Sequence, residues 1–233
     1  GPPDGQIISP ENTGVYYCNV PITFQATVSD LESDPEDLKV YWSSDIDGSL
    51  SVTENPTREG TYEDSAQLTQ GPHRVTMEVV DPQGNSAFDS VEITVGDANQ
   101  PPLCSITEPL DGSSGELGAL IFMRGTASDP DVSPNFLQAS WISNIDGELS
   151  TDTPSSDGVV IYGTEDLSGG IHSITLRVTD EAGAVCTDTI LYTVSVPPTI
   201  EITTPQLNEV FNNEDPISFI AQVEDEEDNP PLL

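Results

Sequence analysis

Positive charge is scarce in this chain. Five Lys and Arg residues stand against 41 Asp and Glu, for a formal net charge of −36 over 233 residues. A nucleic-acid groove or a face for an anionic membrane needs clustered Lys and Arg, so both are excluded. Long apolar runs are missing as well: nothing approaches the ~18 consecutive apolar residues of a bilayer span, and residue 1 opens on no signal-peptide pattern. Helical periodicity is absent, and aromatics make up 6% of the residues. No N-x-S/T acceptor occurs, Asn55-Pro56-Thr57 being disqualified by its proline. No serine–histidine nucleophile motif, zinc-ligand spacing or phosphate-cradling glycine loop is found, so the chain is not expected to be an enzyme.

What is present is repetition. Displaced by 99 residues, Trp42 meets Trp141, Asp47-Gly48 meets Asp146-Gly147, His73 meets His172, Asp81 meets Asp180 and Asp89 meets Asp188. Between Pro10 and Val95, 24 of 86 aligned positions are identical and the alignment needs no gap. A third copy begins at Ile200–Pro205, places Phe219 and Asp225 opposite Phe24 and Asp30, and stops before its tryptophan. A repeat of this kind signals an array of domains.

Within each copy the apolar period is two. Ile22, Phe24, Ala26 and Val28 alternate with polar residues, as do Val75, Met77 and Val79, and their counterparts Ile174, Leu176 and Val178. That alternation argues against the disorder that acidity alone suggests. About seven short strands per copy, with a tryptophan on the third, predict an all-β chain of tandem immunoglobulin-like β-sandwich domains arranged end to end. The expected boundaries are domain 1 at 1–96, a linker at 97–102, domain 2 at 103–196, and an incomplete domain 3 at 197–233 holding its first two strands.

The repeat also organises the cysteines. Cys104 and Cys186 open and close the second copy, and the first copy has Gly5 and Ala87 in their places. Loss of both together is what a disulfide between first and last strands would produce, in an oxidising setting; two buried thiols are the alternative. Cys18 has no counterpart and reads as a free, buried thiol. His73 and His172 share one repeat position ahead of a strand, which favours a packing or turn role, and Asp45-x-Asp47-Gly48 reads as a tight turn.

Asn99-Gln-Pro-Pro102, the Ser-Asp closing the second strand, the W…DG spacing and the GxH…VxD segment together resemble the extracellular Ig-like repeats of bacteria and archaea grouped near PKD and cadherin-like domains. The WDFGDG signature of PKD domains is missing. The resemblance to cadherin junctions implies Ca²⁺ between domains 1 and 2, with Asp97 and Asn99 from the linker, Asp129 and Asp131 from the second-to-third strand loop and Asp180 from the last hairpin, supplying the hard oxygens the ion takes. Asp residues at strand ends also cap turns without any ion. Asp225, Glu227 and Asp228 are a second, sparser set.

The function expected is structural: a stalk, fibre or adhesin shaft at the cell surface or outside the cell, whose partners are neighbouring repeats of the same or an identical chain. Two alternatives stand beside it. One is a subunit of a polymerising filament or surface layer, a homopolymer joined by strand pairing. The other is a carbohydrate-binding accessory module of a secreted enzyme, with Tyr16, Tyr17 and Tyr41 as its aromatics. No direct membrane insertion is expected.

Overall fold

The structure, a computed structural model, describes residues 1–50 and 55–224. It divides into two compact units, Gly1–Asn99 and Gln100–Leu233. Unit 1 contains β1 (Asp4–Ser9), β2 (Tyr16–Tyr17), β3 (Ile22–Ser29), β4 (Lys39–Ser44), β5 (Gly48–Ser49), β6 (Thr61–Ala66), β7 (Gly71–Val80) and β8 (Ser86–Gly96). Unit 2 repeats the series as β9 (Leu103–Glu108), β10 (Ser113–Glu116), β11 (Ile121–Ser128), β12 (Gln138–Ser143), β13 (Gly147–Asp152), β14 (Val159–Thr164), β15 (Gly170–Thr179) and β16 (Val185–Ser195), followed by β17 (Thr199–Thr204) and β18 (Ile220–Glu224).

Each unit is a sandwich of a three-stranded and a five-stranded sheet, ordered β1-β3-β6 and β2-β8-β7-β4-β5 in unit 1, β9-β11-β14 and β10-β16-β15-β12-β13 in unit 2. The period-two pattern explains the packing. On β3, Ile22, Phe24, Ala26 and Val28 turn inward and the residues between them face solvent. They meet Val40, Trp42, Met77 and Val79 from the other sheet in one apolar cluster, with Phe24 and Trp42 rings 5.0 Å apart at a tilt of 56°. Phe24 and Trp42 are 0% and 1% exposed; burying side chains of this size contributes about 2–3 kcal/mol each. Trp141, Met123 and Leu176 do the same in unit 2.

The first strand is divided between the two sheets. β1 runs antiparallel to β3, and after the Ser9-Pro10 step the short β2 lies parallel to β8. A cis peptide bond occurs at the same place in all three copies, Ser9-Pro10, Glu108-Pro109 and Thr204-Pro205. Tyr16 on β2 packs against the core of unit 1. Unit 2 inverts the arrangement: Tyr192 on β16 is buried, and its hydroxyl occupies the space where a Cβ on Gly115 of β10 would stand. A large residue on one strand is exchanged for a large residue on the other, which is why Tyr16 has only a glycine opposite it in the repeat.

The gapless alignment of the copies fails in one segment. Buried Pro56, Gly60 and Tyr62 correspond to buried Pro154, Gly158 and Val160, an offset of 98 and not 99. The backbone agrees, since Val28 N–H donates to Gly60 O and Ala127 N–H to Gly158 O at 2.8 and 2.7 Å. Leu68 and Leu167 restore the offset of 99. Two compensating one-residue shifts therefore flank the β6/β14 strand, because a single-residue slip would turn its buried side to solvent.

β17 and β18 form a separate two-stranded antiparallel sheet. Thr199 pairs with Glu224 as Asp4 pairs with Ser29 and Leu103 with Ser128. In this register Phe219 and Val223 correspond to Phe24 and Val28. They are 75% and 41% exposed, where Phe24 and Val28 are 0% and 4%. Asp225, Glu227 and Asp228 lie outside the described residues.

Candidate functional site

The groups singled out by the sequence fall at three places: the turn after the tryptophan strand, the loops at the strand ends, and the edge where first and last strands meet.

At the first place each unit buries a histidine. His73 Nδ1 lies 2.7 Å from Ser44 Oγ and its Nε2 2.6 Å from Thr69 O. A carbonyl only accepts, so Nε2 donates to Thr69 O, and in the neutral ring the Ser44 hydroxyl donates to Nδ1. Ser44 Oγ in turn accepts the backbone N–H groups of Ile46 and Asp47 at 3.1 and 3.3 Å, while Asp47 accepts from Thr69 N and Oγ1 at 2.9 and 2.6 Å. Unit 2 repeats the network through Ser143, His172, Ser168 and Asp146. His73 and His172 are 2% and 0% exposed. The network pins the Asp-Gly turn to the start of the next strand, with Gly48 and Gly147 at φ 75° and 77°. The packing or turn role expected for the histidines is their observed one.

At the second place the acids cap turns. In unit 1 Asp81 Oδ1 accepts from Gln83 N and Asn85 N at 2.9 and 2.8 Å, and Oδ2 from Asn85 Nδ2 at 2.7 Å. Burial pushes the Asp81 carboxyl upward, but these donors outweigh it and hold it below its ordinary value. A depressed carboxyl contributes stability that is complete above the ordinary range and lost as the pH falls through the folded value. The β7–β8 turn is therefore expected to stay ordered down to about pH 4 and to open below it. Chemical shifts of the Asn85 amide follow this; a midpoint at or above the ordinary carboxylate value would contradict it.

The residues named for calcium are engaged in the same way. Asp129 Oδ1 accepts from Asp131 N and Val132 N at 2.7 and 3.1 Å, Asp131 Oδ2 from Gln100 N at 2.6 Å, and Asp180 Oδ1 from Ala182 N and Ala184 N at 3.0 and 2.7 Å. In unit 1, Asp97 Oδ1 accepts from Gln70 Nε2 at 2.6 Å. Asn99 is clamped by Asn19, whose side chain accepts from Asn99 N at 2.7 Å and donates to Asn99 O at 3.0 Å. Among the described residues no group of three or more His, Cys, Asp or Glu is placed to hold a metal ion. Asp129 Oδ2 is buried without a hydrogen-bond partner, as is Asp30 Oδ2 at the equivalent position of unit 1.

At the third place Cys104 on β9 and Cys186 on β16 form a disulfide across 82 residues, with Cα atoms 5.9 Å apart. Unit 1 has no room for it: a Cβ on Gly5 would stand 2.7 Å from Val79 Cγ2 and 3.0 Å from Met77 Cε. Cys18 is a free, half-buried thiol packed against the core of unit 1. Sequence reasoning left two residues here without a role. Asp89 and Asp188 accept from Ile7 N and Ile106 N at 2.9 and 2.7 Å, where β1 and β9 break register with their sheet partners. Their recurrence at one repeat position was the available signal.

Fold and site together define a tandem immunoglobulin/fibronectin-III-like β-sandwich protein. Over 159 residues the chain is 26% identical to halomucin of Haloquadratum walsbyi, covering 64% of this chain and 2% of that protein's length. Among solved structures it is similar to the fibronectin(III)-like modules of CbhA from Clostridium thermocellum, with 18% identity, 82% of this chain and 94% of that one covered, and a TM-score of 0.58. It also matches a tetra-tandem repeat from the extending region of a large adhesion protein at 16% identity, covering 88% of this chain and 52% of that one, with a TM-score of 0.34. No family model matches the chain. Among the described residues no helix is long and apolar enough to cross a membrane.

Proposed function

We propose that the chain is a load-bearing segment of an extracellular surface protein, a stalk or adhesin shaft without catalytic activity. The observation that carries this reading is the disulfide between β9 and β16, the first and last strands of the second sandwich. Tension along the chain passes straight through Cys104–Cys186, and the 82-residue loop it closes is shielded from the load. Such a bond persists in an oxidising compartment, and likeness to halomucin supports a place outside the cell. Single-molecule extension tests the idea. Unit 1 is expected to lengthen fully when it unfolds, whereas unit 2 releases its shielded loop, about 280 Å at ~3.4 Å per residue, only after reduction. Identical traces with and without reductant would sink it.

Calcium enters this reading as a proposal, carried by the buried, unpartnered Asp129 Oδ2, for which a cation would be a natural partner. Calorimetric titration with CaCl₂ is expected to show heat that Asp129→Asn removes; no heat would discard the ion. The carbohydrate-module reading has less behind it, since the Tyr16 hydroxyl is tied to Glu11 N and O at 2.8 and 2.9 Å and burial raises its pKa.

A further inference from the structure

The two units differ at one surface row in a way that their cores do not require. On the outer face of β4, β7 and β8, the register places Tyr41, Glu78 and Phe88 side by side. Tyr41 and Phe88 are 55% and 65% exposed. In unit 2 the same three positions are Ser140, Arg177 and Thr187, again one row across β12, β15 and β16. Their inward neighbours are apolar in both units, Val40 and Met77 in one, Ala139 and Leu176 in the other. The fold therefore does not dictate an aromatic pair at this row.

Charge makes the contrast sharper. Among the described residues neither the Glu78 nor the Arg177 side chain has a hydrogen bond or ion pair. Arg177 is exposed and, unlike Arg124, which lies 3.7 Å from Glu108, has no acid within ion-pair distance. Arg177 is flanked by small hydroxyl residues, Glu78 by two large rings.

We propose that these rows are the two halves of a contact between copies of this chain, the Tyr41–Glu78–Phe88 row of one receiving the Ser140–Arg177–Thr187 row of a second. Adjacent strands lie about 4.8 Å apart, so Tyr41 and Phe88 stand about 10 Å apart with Glu78 between them. A guanidinium entering that gap pairs with Glu78 and stacks against the rings, a geometry that arginine's planar fork suits. The rings in turn cover Ser140 and Thr187, large against small. Like rows are excluded, because they would oppose two Glu or two Arg, so the contact is heterologous. Two copies at −36 each repel, but that long-range term is screened over about 10 Å at 0.1 M salt and about 3 Å at 1 M, while a pair shielded between rings is screened much less. Association accordingly strengthens with salt. The contact goes beyond the shaft reading and holds whether or not the chain bears load.

Sedimentation velocity of the full chain between about 0.1 and 1 M NaCl tests it. The expected result is concentration-dependent association that grows with salt. Glu78→Arg or Arg177→Glu alone weakens it at least tenfold. Mixing the two single variants restores it, as does combining both changes in one chain, because each arrangement again opposes unlike charges. Unchanged circular-dichroism melting of each variant separates loss of contact from loss of fold. A monomer at every salt concentration, single variants that associate like the parent, or swaps that fail to restore would each overturn the proposal. So would a monomeric chain whose Tyr41 and Phe88 resonances shift on adding cellohexaose, which would assign the rings to a sugar.

Discussion

Replacing Cys104 and Cys186 together by alanine is expected to lower the stability of unit 2 by about 4 kcal/mol and to leave unit 1 unchanged. The bridge closes 82 residues, nearly the whole β9–β16 sandwich, so it lowers the loop-closure entropy that this sandwich would otherwise gain on unfolding. For a domain of this size the loss corresponds to a fall of about 20 °C in melting temperature. Unit 1 is an internal control, because Gly5 and Ala87 occupy the equivalent positions and Val79 fills the space beside them. Calorimetry of parent and variant, each with and without reductant, reads both units in one scan. A unit-2 transition that does not move on mutation or reduction would show that the closed loop contributes nothing.

His172→Ala is expected to cost about 3 kcal/mol in unit 2, and His73→Ala the same in unit 1. Each ring satisfies two partners in a buried site, so truncation leaves the Ser143 hydroxyl and Ser168 carbonyl without their histidine partner and opens a cavity besides. Ser143→Ala leaves His172 Nδ1 and the Ile145 and Asp146 amides without this partner and is expected to cost about 2 kcal/mol. The double variant should fall short of the sum, since the two side chains act on one turn. Denaturant unfolding of the four proteins decides it; additive effects would mean that the ring packs without holding the turn.

The large effects thus come from residues that comparison of the copies singles out, the histidines by recurring and the cysteines by being absent together from the first copy, and the reason is physical. A position buried in one sandwich is buried in its copy, so Trp42 with Trp141 and His73 with His172 survive displacement of the sequence on itself, and alternation with period two names the inward face of β3 and β11. The acids were harder. Asp180 read equally well as an ion ligand or a turn cap, because a carboxylate has the same composition whether it accepts from backbone amides or binds a cation. In the structure Asp180 accepts from the amide of Ala184, as its counterpart Asp81 does from that of Asn85.

Alone, the sequence determined the all-β class, the repeat and its two complete copies, the inward residues, and the two cysteines belonging together, since all of these follow from local alternation and from coincidence between copies. Tertiary structure decided what depends on which segments meet: the one-residue shift of β6 against β14, the exchange of Tyr16 for Tyr192, the clamps made by Asp89 and Asp188, and the row that sets Tyr41, Glu78 and Phe88 side by side. Those residues are far apart along the chain. Strand register, fixed by burying one face of each sheet, brings them together.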